Sequence, residues 1–143
     1  MKAVVVDASV GVKWLAIFAR EEFADRAKSL LDRRTAGELL VLVPDLFWLE
    51  VSNALCKATR RNKCTATEAD RALDEMQQLP LQTMSSTEMV NSAQEIAIRY
   101  RRSIYDSVYI ALARETRSEL VTADEKLANA LPRQFPVQWL GML

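Results

Sequence analysis

The chain has 143 residues, of which 50% are hydrophobic and 27% charged, so it has the size and composition of a single domain spanning 1–143. It contains no histidine, which excludes Ser-His-Asp and Cys-His catalysis, histidine zinc sites and imidazole acid–base chemistry. Nineteen basic and 19 acidic residues give a net charge of zero, which excludes a basic nucleic-acid coat protein but not an enzyme with a local acidic site.

The predicted strands are short apolar runs at residues 3–6, 39–43, 81–84, 120–122 and 137–140. Because the runs do not alternate with polar residues, both faces of each strand should be covered, and the helical patterns between them favour a parallel sheet. Longer helices are predicted at 21–35, 45–61, 67–79, 87–101 and 105–117. A short helix should follow the first strand and another the fourth. The sequence therefore predicts an α/β fold with about five strands and about seven helices.

Several helix boundaries have local signals. Pro44 is expected to start the helix at 45–61, since proline suits the first helical position. Thr65 with Glu68, and Ser85 with Glu88, have the spacing of capping boxes and should start the next two helices.

No segment suits a membrane or a secretory signal. The first apolar run ends at Asp7 and is too short for a signal peptide, and the longest later run, 39–43, has five residues. We therefore expect a cytoplasmic protein with no membrane association. Cys56 and Cys64 lie eight residues apart in a chain without histidine, so we expect free thiols rather than a metal or redox site.

Two acidic residues follow predicted strands. Asp7 stands at the end of the first strand and Asp124 just after the fourth. Ligands bind at the carboxyl ends of the strands in open parallel sheets, so both are candidate site residues. Each has a structural alternative, because Asp7 could merely cap the helix that follows, and Thr122 with Glu125 has capping-box spacing.

Two further acidic residues lie within predicted helices. Glu50 lies in an otherwise apolar stretch, where a carboxylate is costly to desolvate, and Asn53 on the same helical face could hydrogen-bond it. Asp106 lies near a helix start, where the helix dipole favours the ionised form. The alternatives are a partly exposed glutamate at the edge of the apolar stripe, and helix capping by Ser103 and Asp106.

The four acids together carry the functional prediction. If they meet at one edge of the sheet, they would raise one another's pKa values unless a cation lies among them. Carboxylate oxygens without imidazole or thiolate suit Mg²⁺ or Mn²⁺, and a site of that kind serves phosphodiester hydrolysis. The predicted metal ligands are Asp7, Glu50, Asp106 and Asp124.

Four segments resemble the motifs of the PIN-domain family, in particular its VapC-like ribonuclease toxins of type II toxin–antitoxin pairs. They are VVVDASV at 4–10, PDLFWLEVSNAL at 44–55, YDSVYIALA at 105–113 and LVTAD at 120–124. The ordered set, rather than any single motif, carries the resemblance, which covers nearly the whole chain. It implies catalytic and metal-binding roles for the four acids and supporting roles for Ser9 and Asn53; we expect Thr122 to be a third supporting residue.

The resemblance also implies a three-layer sandwich with a central, mostly parallel sheet. The implied activity is that of a Mg²⁺- or Mn²⁺-dependent endoribonuclease that leaves a 5′-phosphate and a 3′-hydroxyl. An RNA substrate, a small antitoxin protein that fills a groove near the active site, and a second copy in a homodimer are the implied partners. Lys13 and Arg102, close in sequence to Asp7 and Asp106, are the candidate RNA-binding cations.

Two clusters of side chains have more than one interpretation. Four aromatic residues would either pack in the core or form a surface for a dimer or an antitoxin: Trp14, Phe18, Phe47 and Trp48. Four basic residues would either stabilise the end of the helix at 45–61 or contact RNA: Lys57, Arg60, Arg61 and Lys63.

Two other functions fit part of the sequence. A receiver-like or phosphatase-like phosphoryl-transfer domain could use Asp7 as phosphate acceptor, but no second acid lies beside it and Asp124 stands where a lysine would be needed. A non-catalytic PIN-fold module that binds RNA or protein is the other alternative. Loss of one of the four acids would favour that module, and none is lost.

Overall fold

A computed structural model describes all 143 residues and contains one five-stranded, all-parallel sheet with the strand order β3-β2-β1-β4-β5. The strands are β1 (Lys2–Val6), β2 (Leu39–Pro44), β3 (Gln82–Met84), β4 (Glu119–Thr122) and β5 (Val137–Trp139). Consecutive residues of the three central strands are buried, so helices cover both faces of the sheet and the predicted three-layer sandwich is confirmed.

Seven α-helices and four short 3₁₀ helices surround the sheet. The α-helices are α1 (Ala8–Gly11), α2 (Ala24–Thr35), α3 (Leu46–Arg60), α4 (Ala66–Gln77), α5 (Val90–Tyr100), α6 (Ile104–Glu115) and α7 (Glu125–Ala130). The 3₁₀ helices are Val12–Trp14, Ala16–Phe18, Thr87–Met89 and Leu140–Met142. The predicted number and order of elements are therefore confirmed.

Several predicted boundaries are wrong by a few residues. Pro44 is the last residue of β2 rather than the first of a helix, because it remains paired with Met84 of β3 and α3 begins only at Leu46. The capping box at Ser85 and Glu88 does not form: the Ser85 hydroxyl lies 2.8 Å from that of Thr87, and a 3₁₀ turn precedes α5.

The capping box at Thr65 is confirmed. Its hydroxyl accepts the backbone N–H of Glu68 at 3.1 Å, and the Glu68 carboxylate accepts the N–H of Thr65 at 3.0 Å. The start of α2 differs from the prediction, since the helix begins at Ala24 after Phe23, whose φ of 64° is left-handed. The chain therefore turns at Phe23, and α2 begins at the next residue.

Helix α6 lies at the centre of the molecule. Its residues from Ser107 to Ala113 are all buried, and the helix packs against β1, β2, β4 and α5. A helix apolar around its whole circumference is typical of a protein core. Its first turn, which carries Asp106, is therefore fixed relative to the sheet.

Two smaller expectations concern the membrane and the cysteines. The chain has no helix with both the length and the apolar character needed to cross a bilayer. Cys56 and Cys64 are both free, as expected.

Candidate active site

Asp7 is the most buried of the four candidate acids. It caps α1, and its Oδ1 accepts the backbone N–H of Val10 at 3.3 Å and the hydroxyl of Ser9. Its Oδ2 accepts the hydroxyl of Thr122 at 2.6 Å. Burial raises the pKa of Asp7 from 3.8 to about 6; the three hydrogen bonds oppose this rise and the charge of Asp106 adds to it. Asp7 therefore does cap α1, which is the structural alternative that the sequence left open, and its role as a site residue stays a prediction.

Ser9 and Thr122 join the carboxyl ends of β1 and β4 around Asp7. Each hydroxyl donates to Asp7 and accepts a backbone N–H: Ser9 from Ala123 at 3.0 Å, and Thr122 from Asp124 at 3.1 Å. Because each hydroxyl makes two hydrogen bonds, its position is fixed, and together the two hydroxyls fix the orientation of the Asp7 carboxylate. Two of the three predicted supporting residues thus contact Asp7.

The predicted capping box of Thr122 and Glu125 is wrong. Asp124 itself caps α7, because its Oδ1 accepts the N–H groups of Lys126 at 3.0 Å and Leu127 at 3.3 Å. Thr122 is fully buried and directed at Asp7 instead. Asp124 is exposed.

Glu50 is held by a residue that the sequence reasoning did not single out. Its Oε1 accepts the hydroxyl of Tyr109 at 2.7 Å, and Tyr109 is almost completely buried. Burial raises the pKa of Glu50, the bond from Tyr109 lowers it, and the charge of Asp106 raises it. Tyr109 follows Asp106 by three residues, so helical spacing alone placed it beside the site. Asn53 is exposed and makes no hydrogen bond to Glu50.

Asp106 lies in the first turn of α6 and is half-buried. The Ser103 hydroxyl caps the helix by accepting the N–H of Asp106 at 3.0 Å, so Asp106 contributes its backbone rather than its carboxylate to the cap. Burial raises the pKa of Asp106, and the charge of Asp124 raises it further; the Ser103 bond and the nearby Arg102 lower it.

Three of the four acids have a raised pKa, and for each of them the charge of another of the four contributes to the rise. The charge of Asp106 raises the pKa of Asp7 and of Glu50, while the charge of Asp124 acts on Asp106. Asp106 is therefore the electrostatic centre of the group. None of the chain's three ion pairs includes any of the four acids. No three acidic or cysteine side chains are grouped tightly enough to form a ready-made metal site.

The two predicted RNA-binding cations have different surroundings. The Lys13 ammonium is largely shielded and pairs with Glu21 at 3.3 Å. Arg102 lies close enough to Asp106 to lower its pKa, and its Nε donates to the carbonyl of Arg101 at 3.2 Å. Of these two cations, only Arg102 therefore has a charge that acts on one of the four acids.

Comparisons with known proteins agree on one family. The pattern of the PIN domain matches residues 4–130. Ribonuclease VapC3 of Pyrobaculum aerophilum is 33% identical over 130 residues, which cover 90% of this chain and 94% of the relative.

Solved structures have the same fold. The crystal structure of PAE2754 from Pyrobaculum aerophilum matches with a TM-score of 0.71 at 20% identity, covering 99% of this chain and 92% of the other. A toxin–antitoxin complex from Klebsiella pneumoniae matches with a TM-score of 0.60 at 17% identity, covering 94% and 95%.

Proposed function

The chain belongs to the PIN-domain family, and from that membership we propose that it is the endoribonuclease toxin of a toxin–antitoxin pair, dependent on Mg²⁺ or Mn²⁺. The observation that carries the proposal is the group of acids around Asp106, in which Asp7 and Glu50 are held by hydroxyl donors and no member takes part in an ion pair. Negative charge of this density in a half-buried site is stabilised by a divalent cation.

The donor set fits Mg²⁺ or Mn²⁺ better than Zn²⁺. The site offers carboxylate and hydroxyl oxygens only, and the chain has no histidine. Mg²⁺ is commonly held by one or two carboxylates and keeps several waters, so it does not need three carboxylates in direct contact. A divalent cation would stabilise charge on the phosphoryl oxygens and activate water for hydrolysis.

The four acids would differ in how they hold the cation. Asp7 and Asp106 would hold the cation directly, since both are held by fixed elements, while Glu50 and Asp124 would bind it directly or through water. Ser9 and Thr122 orient Asp7 through their hydroxyls, as described above.

The remaining roles concern Glu50 and the substrate. Tyr109 fixes one oxygen of Glu50 and leaves the other free. Arg102, beside Asp106, is the candidate contact to the RNA backbone. Asn53, which faces solvent, is the residue with least support for its predicted role.

The proposal is tested by incubating the purified chain with RNA in the presence of Mn²⁺, with and without a chelator. Cleavage should require the ion and should be abolished by Asp106→Asn, because that substitution removes the charge at the centre of the cluster. Asp32→Asn, an exposed substitution on α2, is the matched control and should leave cleavage unchanged. Equal cleavage by wild type and Asp106→Asn would remove the nuclease assignment from these residues.

The loose spacing of the acids favours one second candidate, a PIN-fold module without catalysis. Calorimetric titration with Mn²⁺ separates the two functions. A nuclease should bind the ion, and Asp7→Asn should bind it more weakly; a non-catalytic module should give no heat of binding in either form.

We propose two protein partners. The first is a small antitoxin, supported by the likeness to the Klebsiella pneumoniae toxin–antitoxin complex, and the second is another copy of the chain in a homodimer. Two free thiols and an RNA substrate would suit the cytoplasm. Co-purification with the product of the neighbouring gene, followed by sedimentation of the chain alone, tests both partners. A monomer that captures no such product would contradict them.

A further inference from the structure

One stripe of α3 connects the acidic cluster to the basic end of the helix. Glu50, Ala54, Lys57 and Arg61 follow one another at steps of four, three and four residues, which is the spacing of a single helical face. At about 1.5 Å per residue the stripe extends roughly 16 Å from Glu50. Any ligand lying along this face would therefore reach both the acids and the cations.

A cavity of about 170 Å³ lies along this stripe. It is lined by Val12, Phe18, Glu21, Ala54, Lys57, Ala58, Arg61 and Lys63. One wall is formed by α3, which carries Glu50, and the other by the 3₁₀ turns that follow α1, which begins beside Asp7. The two walls therefore belong to segments that also carry Glu50 or follow Asp7.

The turn after α3 adds a third cation to the cavity. Asn62 is left-handed, with φ of 56°, and the N–H of Lys63 donates back to the carbonyl of Ala58 at 2.9 Å. This is the Schellman arrangement of a helix end, and it folds Lys63 back against the last turn. Lys63 thereby joins Lys57 and Arg61 in lining the cavity.

The cations of the cavity are in excess over the acids. Glu21 is its only acidic residue and is paired with Lys13 at 3.3 Å. Lys57, Arg61 and Lys63 take part in none of the chain's ion pairs. A chain with no net charge thus has three unpaired cations around one small cavity whose apolar lining residues include the aromatic Phe18.

We propose that this cavity is a nucleotide subsite that holds the RNA strand beside the scissile bond, with a base against Phe18 and phosphates on Lys57, Arg61 and Lys63. The proposal rests on the ribonuclease function proposed above. Phosphates supply the regularly spaced negative charge that three cations at a helix end attract, and a base supplies the flat ring that stacks on an aromatic side chain. The acidic residues of a peptide would match the cations but carry no ring themselves, whereas each nucleotide brings a phosphate and a flat base together.

The test measures binding of a short, fluorescein-labelled single-stranded RNA in the Asp106→Asn background, which prevents cleavage during the titration. Lys57→Gln, Arg61→Gln and Lys63→Gln should each weaken binding several-fold and lower the slope of log affinity against log salt by about 0.7. Arg133→Gln is the matched control, because Arg133 is exposed and precedes β5 at the opposite edge of the sheet.

The aromatic contact has its own pair of variants. Phe18→Leu should weaken binding by about fivefold or more, as expected for loss of one stacked base, whereas Phe18→Tyr keeps the ring and should bind within about twofold of the parent. Circular dichroism, and Mn²⁺ titration of the same two substitutions with Asp106 intact, should be unchanged, since Phe18 is not one of the four acids. Equal losses of RNA affinity in Phe18→Leu and Phe18→Tyr would contradict the stacking of a base on the Phe18 ring.

The outcomes separate this proposal from the one it rests on. If wild type cleaves RNA but the three cation variants bind like Arg133→Gln, the subsite is wrong and the nuclease stands. If those variants bind RNA normally and lose only the antitoxin, the cavity is a protein interface and the subsite is again wrong. If wild type neither cleaves nor binds RNA in the presence of Mn²⁺, both proposals fail.

Discussion

Replacing Asp7 by asparagine should make the protein more stable at neutral pH while abolishing its proposed activity. The physical reason is the pKa of Asp7, which burial raises from 3.8 to about 6. A carboxyl whose pKa is raised by folding is costly to keep ionised in the native state. The cost is fully present above the folded-state pKa of about 6 and disappears as the pH falls toward 3.8.

The size of the effect follows from the shift and from the hydrogen bonds. A rise from 3.8 to about 6 corresponds to about 3 kcal/mol of unfolding free energy at pH 7.5. An amide has one acceptor oxygen where the carboxylate has two, so one bond from Ser9 or Thr122 must reverse or be lost, at a cost of about 1 kcal/mol. We therefore expect Asp7→Asn to be about 2 kcal/mol more stable than wild type at pH 7.5.

Urea unfolding in the presence of a chelator, at pH 7.5 and pH 5, measures this difference. The wild type should gain stability as the pH is lowered. The difference in unfolding free energy between Asp7→Asn and the wild type should therefore be smaller at pH 5. Asp32→Asn, exposed on α2, should differ from wild type by less than about 0.5 kcal/mol at both values. Added Mn²⁺ should make the wild type the more stable of the two proteins, since only the wild type gains binding energy from the ion. A variant no more stable than wild type at pH 7.5 would refute the reasoning.

Three further substitutions test individual contacts. Tyr109→Phe should lower Mn²⁺ affinity by about 10-fold or more without unfolding the protein, because it releases Glu50; calorimetric titration measures this. Gly11→Ala should lower the unfolding free energy by about 1–3 kcal/mol in urea, because a Cβ there would lie 2.5 Å from the buried ring of Phe47. Thr65→Ala should lower it by about 1 kcal/mol through loss of the capping box at the start of α4.

Each of these substitutions has a control in the same chain. Tyr105→Phe changes an exposed tyrosine and should leave Mn²⁺ affinity unchanged. Phe47→Leu added to Gly11→Ala should recover part of the lost stability, since it removes the ring that the new Cβ meets. Thr67→Ala lies in the first turn of α4 without capping it and should be close to neutral. A Tyr109→Phe variant with normal Mn²⁺ affinity, or a neutral Thr65→Ala, would contradict the corresponding contact.

The parts of the fold that the sequence predicted are those with a local cause. Strands β1, β2 and β4 are unbroken apolar runs, and the acids at the ends of β1 and β4 follow from parallel topology. The capping box of Thr65 and Glu68 depends only on residues within the first turn of α4, so the local sequence was enough to predict it.

The features that the sequence did not predict depend on contacts between distant segments. Pro44 stays in β2 because β3 pairs with it. Thr122 is directed at Asp7 from 115 residues away, so it is not available to cap α7. The bond between Tyr109 and Glu50 joins residues 59 apart, so helical spacing from Asp106 indicates on which face Tyr109 lies but not which residue it contacts. Lys13 pairs with Glu21 only because the chain turns back after α1.

The complete burial of α6 has a consequence for which mutations the protein tolerates. A helix that lacks a solvent-facing side from Ser107 to Ala113 has no position where a polar or larger residue fits without cost. The same helix carries Asp106 and Tyr109, so damage to its packing displaces reactive groups before the chain unfolds. In a random library screened for loss of cleavage, inactive clones with intact acids should cluster in this one helix.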